Sequence, residues 1–199
     1  MTWPKSPEPL AMLSAAHVRA NVVGAIVLTL FGCLWWIITL AYWNARPSWT
    51  IPAASAATAV LFVLCIARLG SSRKIHIIDD PAVLAKRKRA GMLSGIIFGI
   101  EGTLIGFSSR LLAHHGLSIW IPMTIAIIVG LHFLPLAAVW EMPLYYVPGV
   151  LPVLGMLGCL LIRDVGMRLL CVGLVMTSIL WLTAVLLLLQ TRPVQPTRL

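Results

Sequence analysis

Long apolar runs alternate with short polar connections along this chain, and six of them stand out: 22–43, 51–67, 91–109, 117–140, 144–162 and 165–189. A helix crossing the hydrocarbon core of a bilayer needs about 20 mostly apolar residues, so each run reads as one crossing. Unpaired backbone amides in hydrocarbon are costly enough that only helices and closed barrels can span it. Barrel strands alternate apolar and polar residues, whereas 179–189 is almost continuously apolar. The pattern therefore predicts an all-α fold: one polytopic transmembrane helix bundle over residues 1–199, with about six spans. The second run is short and the fifth contains prolines, so their ends are the least sharply marked. The first run is longer than the roughly 7–15 apolar residues of a signal peptide, and it follows some 20 other residues. It is expected to remain as an uncleaved helix.

Composition agrees. Of 199 residues, 60% are hydrophobic and 11% charged, with a mean hydropathy of +0.97. A soluble domain is about half apolar and about a quarter charged. This chain has too few polar side chains to cover a surface in water, so lipid must solvate most of it.

The net charge of +9 would suit nucleic acid if a reading domain carried it. The basic residues instead fall between the apolar runs or at the chain ends, as topology determinants do. Nucleic-acid binding is therefore not expected. The connection 68–90 carries Arg68, Arg73, Lys74, Lys86, Arg87, Lys88 and Arg89. The positive-inside rule assigns it to the cytoplasm. Six crossings then put both termini there as well, giving an N-in, C-in protein of a bacterial inner membrane. Lys5, Arg19, Arg192 and Arg198 join the inner set, which makes 11 of the 15 Lys and Arg residues; Arg46, Arg110, Arg163 and Arg168 lie outside. Trp43, Trp49, Trp120 and Trp140 stand at run ends, where interfacial aromatics belong. In the basic connection, Asp79 or Asp80 can cap a helix that starts with Pro81. That helix would run through 82–90 into the third span. Lys86, Arg87, Lys88 and Arg89 would then lie at the headgroup level, in contact with anionic lipids. A regulatory or partner-binding loop is the sharper alternative.

Glu101 is the most informative single residue. It lies ten residues beyond Gly91, about 15 Å along a helix and close to mid-membrane. An ionisable group there is costly and usually faces the bundle interior, a partner or a watery cavity. His132 lies in the next span at a comparable depth, so the two can meet across antiparallel helices. Such a pair could exchange protons, or it could be a plain structural hydrogen bond.

The third run also carries Gly91, Gly95, Gly99, Gly102 and Gly106. Small residues at this spacing let helices approach closely. The row suits tight packing, a flexible gate or a homo-oligomer face. Pro148 and Pro152 interrupt the fifth run; proline removes a backbone donor, and broken helices line some transport sites. Glu141 is expected to be solvated or paired with the basic connection, and Arg163, Asp164 and Arg168 to form an outer cluster. His114 and His115 lack further ligands, and Cys33, Cys65, Cys159 and Cys171 lie scattered in apolar runs without a CxxC pair. Neither set makes a metal or disulfide signature. The phosphate-binding loop, the nucleophile elbow and the HExxH zinc motif are all missing from the sequence. No cofactor and no catalytic residue is assigned.

The stretch IEG at 100–102, followed by VGLHFLPLA at 129–137, resembles an uncharacterised bacterial family of small six-helix integral membrane proteins. The likeness covers about residues 90–165. It implies the helical-bundle architecture and draws attention to Glu101, His132 and Pro135, and it carries no catalytic role with it. Two function classes follow. One is a small proton-linked transporter or channel-like protein built around Glu101 and His132. The other is a non-catalytic scaffold or modulator acting through its glycine face and basic connection.

Overall fold

The structure, a computed structural model, describes residues 9–43, 47–73 and 81–190. All regular structure among them is helical. The helices are α1 (Pro9–Tyr42), α2 (Thr50–Arg73), α3 (Pro81–His114), α4 (Ile121–Trp140), α5 (Tyr146–Cys159) and α6 (Val165–Gln190). Short 3-10 turns at Ser118–Trp120 and Pro143–Tyr145 lead into α4 and α5. Five helices, all except α5, are long and apolar enough to cross a membrane.

Local chemistry sets the ends. Asp164 Oδ1 accepts from the Met167 amide at 2.7 Å, an N-cap that starts α6. Pro122 occupies the first turn of α4, where its missing N–H costs nothing. That helix stops at Glu141, which adopts a left-handed φ of 53° and returns its amide to the Ala137 and Ala138 carbonyls. Pro81 opens α3, and the helix runs unbroken from there through Lys86–Arg89 into the apolar run. Asp79 and Asp80, the expected caps, lie outside the described residues.

The fifth run differs from the sequence expectation. Its helix is 14 residues long, about 21 Å at 1.5 Å per residue, against a hydrocarbon core of about 30 Å. Pro148 and Pro152 do not break it. Pro148 lies in the first turn, where no donor is required. Pro152 lies inside the helix, its ring against Gly130 of α4, 3.1 Å from where a Cβ would stand. The interruption comes earlier, at Pro143–Tyr145. Pro135 likewise sits inside α4 without ending it.

The core gathers around α6, which packs on α1, α5, α4 and α2, with α1–α6 the most extensive contact. Val22, Ala25 and Leu28 of α1 and Val172, Met176, Leu180, Ala184 and Leu187 of α6 are fully or almost fully buried. The outer faces are apolar and exposed, as at Ile37, Val63, Phe107 and Leu161. Such a surface fits a membrane protein, with lipid as its solvent.

The glycine row has no packing partner among the described residues. Gly91, Gly95, Gly99, Gly102 and Gly106 meet nothing within 4 Å, because α3 rests on α4 through its other face. A small residue permits close approach but does not supply a neighbour. The glycines that carry close packing lie elsewhere. Gly24 abuts the Tyr145 hydroxyl, Gly32 the Trp181 ring and Gly173 the Thr39 side chain. Trp181 Nε1 also donates to the Thr29 carbonyl at 3.4 Å, and Thr177 Oγ1 to that of Gly32 at 3.4 Å.

Replacing Gly173 by alanine would put a methyl against Thr39 Oγ1 and 3.1 Å from the Thr39 backbone N and Cα. A helix backbone cannot yield locally, so this overpacking should cost about 1–3 kcal/mol. Gly99→Ala meets open space and should be neutral or gain up to about 1 kcal/mol from helix propensity. Thermal unfolding in detergent should show a lowered Tm for the first variant only.

Candidate functional site

Helices α3 and α4 run antiparallel and are joined by a short turn. Glu101 lies 13 residues before the end of α3 at His114, and His132 lies 11 residues after the start of α4 at Ile121. At 1.5 Å per residue these are about 20 Å and 17 Å from the turn, so both side chains reach the same level. There His132 Nδ1 stands 3.2 Å from Glu101 Oε1. Both side chains are about nine-tenths buried, at 9% and 11% exposure. The contact is short but poorly aligned, and Nδ1 has no hydrogen bond of good geometry. Phe98 and Phe133 flank the imidazole, with ring centroids 5.5 Å and 4.2 Å away.

The pair lines a cavity of about 390 Å³, within the roughly 300–1,000 Å³ of small-molecule sites. The cavity lies between α1 and the α3–α4 pair. Helix α1 contributes Val23, Val27 and Phe31, and α4 contributes Val129, Leu136 and Trp140; Leu180 of α6 and Tyr145 also line it. It exists because α1 packs on α6 and α2, while α3 packs almost solely on α4. Val23, Phe31 and Phe98 are exposed, so the cavity opens sideways onto the outer surface of the bundle. The lining is mostly apolar. Its polar members are Arg87, Ser94, Glu101, His132 and the ends of Trp140 and Tyr145.

Three of these polar residues share one helix face. Arg87, Ser94 and Glu101 lie seven residues apart, and seven residues are nearly two turns of helix. Ser94 is buried; its Oγ accepts from Trp140 Nε1 at 2.9 Å and donates to the Ala90 carbonyl at 2.9 Å. This hydrogen bond clamps α3 to α4 below the pair. The four basic residues in the first turns of α3 divide their work. Lys86 Nζ donates to both carboxylate oxygens of Glu141 at 2.9 Å. Lys88 and Arg89 are exposed, whereas Arg87 is half-buried and turned into the cavity wall. Arg87, Ser94 and Tyr145 were not among the sequence-derived candidates for an interior site. The seven-residue spacing back from Glu101 was the available signal for the first two. Nothing in the sequence ties Tyr145 to the cavity, because its position depends on how Pro143–Tyr145 folds back under α1.

The remaining candidates lie apart from this site. Arg168 stacks over Trp120, 4.3 Å from the ring centroid, at the opposite end of α4. His114 and His115 face each other edge-on, centroids 5.4 Å apart. Among the described residues no three His, Cys, Asp or Glu side chains are grouped to hold a metal.

Two comparisons with known proteins find nothing: no curated protein and no solved structure matches this chain. A third does. Residues 86–190 match the model of a family of unknown function, DUF7010. That stretch is just over half of the chain, and it begins at the basic cluster and includes the whole Glu101–His132 contact.

Glu101→Ala would empty the space that the carboxyl side chain fills beside the imidazole, and stability should fall by about 0.5–3 kcal/mol. Glu101→Gln keeps the size and an amide that can hydrogen-bond, and should fall by less. Chemical or thermal unfolding in detergent tests the order: Glu101→Ala lowest, Glu101→Gln between, wild type highest.

Proposed function

The chain belongs to the family of unknown function DUF7010, and for this member we propose a small proton-linked membrane carrier whose solute is lipophilic. The observation behind this reading is the carboxyl–imidazole contact at 3.2 Å on the wall of a laterally open cavity. Ionisable groups inside membrane segments are expensive and are retained chiefly where they meet a substrate, an ion or a proton path. A carboxyl and an imidazole can each bind or release a proton. A proton shared between Glu101 and His132 would alter the polarity of the cavity floor, and so its affinity for a solute. The apolar lining favours a hydrophobic molecule over a bare hydrated ion, because it offers few groups to replace a hydration shell.

The carrier is proposed to lie in a bacterial inner membrane with six crossings and both termini in the cytoplasm. The asymmetry of 11 against four basic residues supports that orientation. The fifth crossing would use the whole of 143–162, with the 3-10 turn and the residues after Cys159 extending α5.

A second reading is favoured by one observation, the uncovered glycine row of α3. In it, α3 binds a helix of another chain and the protein acts as a scaffold. A homo-oligomer is one form of this.

Proteoliposomes carrying an internal pH dye test the carrier reading. Wild-type protein should dissipate an imposed pH gradient faster than empty liposomes do, and Glu101→Gln and His132→Ala should each slow this by tenfold or more. No flux in the wild type, or unchanged flux in both variants, would exclude a proton role for the pair. Reporter fusions after residue 190 and within 74–80 test the topology. Both sites should report cytoplasm, and opposite answers would require an odd number of crossings between them.

A further inference from the structure

The cavity extends from the basic end of α3 to the acidic residue in its middle. Arg87 and Glu101 are both in its wall and lie 14 residues apart, about 21 Å of helix. The other two walls give a similar length: residues 20–31 of α1 and 129–140 of α4 each cover about 17 Å. One leaflet has about 15 Å of hydrocarbon and a further 5–7 Å of headgroup layer. The cavity therefore has the length of a single leaflet, with its cationic group at the headgroup level and its Glu101 end near the midplane.

Its cross-section points the same way. The cleft between α1 and α3 is open to the side, and exposed Val23, Phe31 and Phe98 stand at its lips. A molecule can enter from the bilayer without passing through water. The run along the cleft is hydrocarbon, and among the described lining residues the full charge at its outer end, Arg87, is positive and half-buried. Lys86 at the same level is held by Glu141, which leaves Arg87, among the described residues, as the cation that lines the cleft. Guanidinium groups bind phosphate in a two-pronged geometry.

We infer that the cleft holds one acyl chain of an anionic phospholipid, drawn sideways from the leaflet at the basic end, with its phosphate on Arg87. The second chain of that lipid stays in the bilayer, which the open side permits. The chain end lies beside Phe98, Phe133 and the Glu101–His132 contact. This deepens the carrier reading by naming its solute class, and it differs from general headgroup attraction because it requires one lipid, one arginine and an open cleft.

Native mass spectrometry of the full chain, released from mixed micelles with equal phosphatidylglycerol and phosphatidylcholine, tests it. The wild type should retain one phosphatidylglycerol, several-fold more often than phosphatidylcholine. Arg87→Gln should abolish that preference, whereas Lys88→Gln, one position along the same helix, should preserve it. Val23→Trp adds bulk at an exposed lip without touching the core, and should reduce retention of both lipids several-fold. Equal retention of the two lipids by the wild type, matching behaviour of Arg87→Gln and Lys88→Gln, or undiminished binding in Val23→Trp would each overturn the inference. The measurement involves no pH gradient. A failed flux assay therefore leaves lipid retention to be judged on its own, and lost lipid retention leaves proton exchange with another solute intact.

Discussion

The close approach of α1 to α6 is the contact on which the remaining architecture depends. Gly24, Gly32 and Gly173 place side chains of one helix, or of Tyr145, directly on the backbone of another. Dispersion forces fall steeply with distance, so helices that approach this closely gain much from packing even where lipid removes the hydrophobic drive. Once α1 is committed to α6, it cannot also cover α4. Helix α3 is left resting on α4 and the turn that precedes it, and the cleft between α1 and α3 is the consequence. The site is thus a by-product of where the glycines are, although none of the glycines prominent in the sequence is among them.

Within that cleft the polar groups are graded. Lys86 and Glu141 pair in the open at the basic end, where solvent screening makes the bond weak. One helical face then carries Arg87, Ser94 and Glu101 inward. Ser94 is engaged by both Trp140 and Ala90, and so works as a fastener. Glu101 and His132 are close but poorly aligned. A buried polar network that is only partly satisfied is costly, and such a cost is sustained more readily where a site must exchange a proton or accept a solute than where it has only to hold helices together.

Much of the bundle was legible along the chain. The apolar runs, the helical extension through Lys86–Arg89 and the common depth of Glu101 and His132 all follow from length, charge and 1.5 Å per residue. Three features were not. The fifth run had enough apolar residues for a span, yet Pro143–Tyr145 turns first and leaves a 14-residue helix. Pro148 and Pro152 carried a breaking signal that their positions, in the first turn and against Gly130, absorb. The glycine row of α3 advertised packing that no neighbour among the described residues provides.

Periodicity and hydropathy are properties of a segment and its solvent, so the sequence by itself determined the helices, their apolar faces and the level at which each polar residue lies. Whether two residues at one level meet depends on how helices are rotated and which of them touch. Those are set by the packing of side chains far apart in the chain. Only the tertiary structure decided that Glu101 faces His132, that Arg87 turns inward while Lys88 and Arg89 face out, and that α1 stands away from α3. The physical reason is that close packing is a pairwise property of surfaces, which no single run of residues contains.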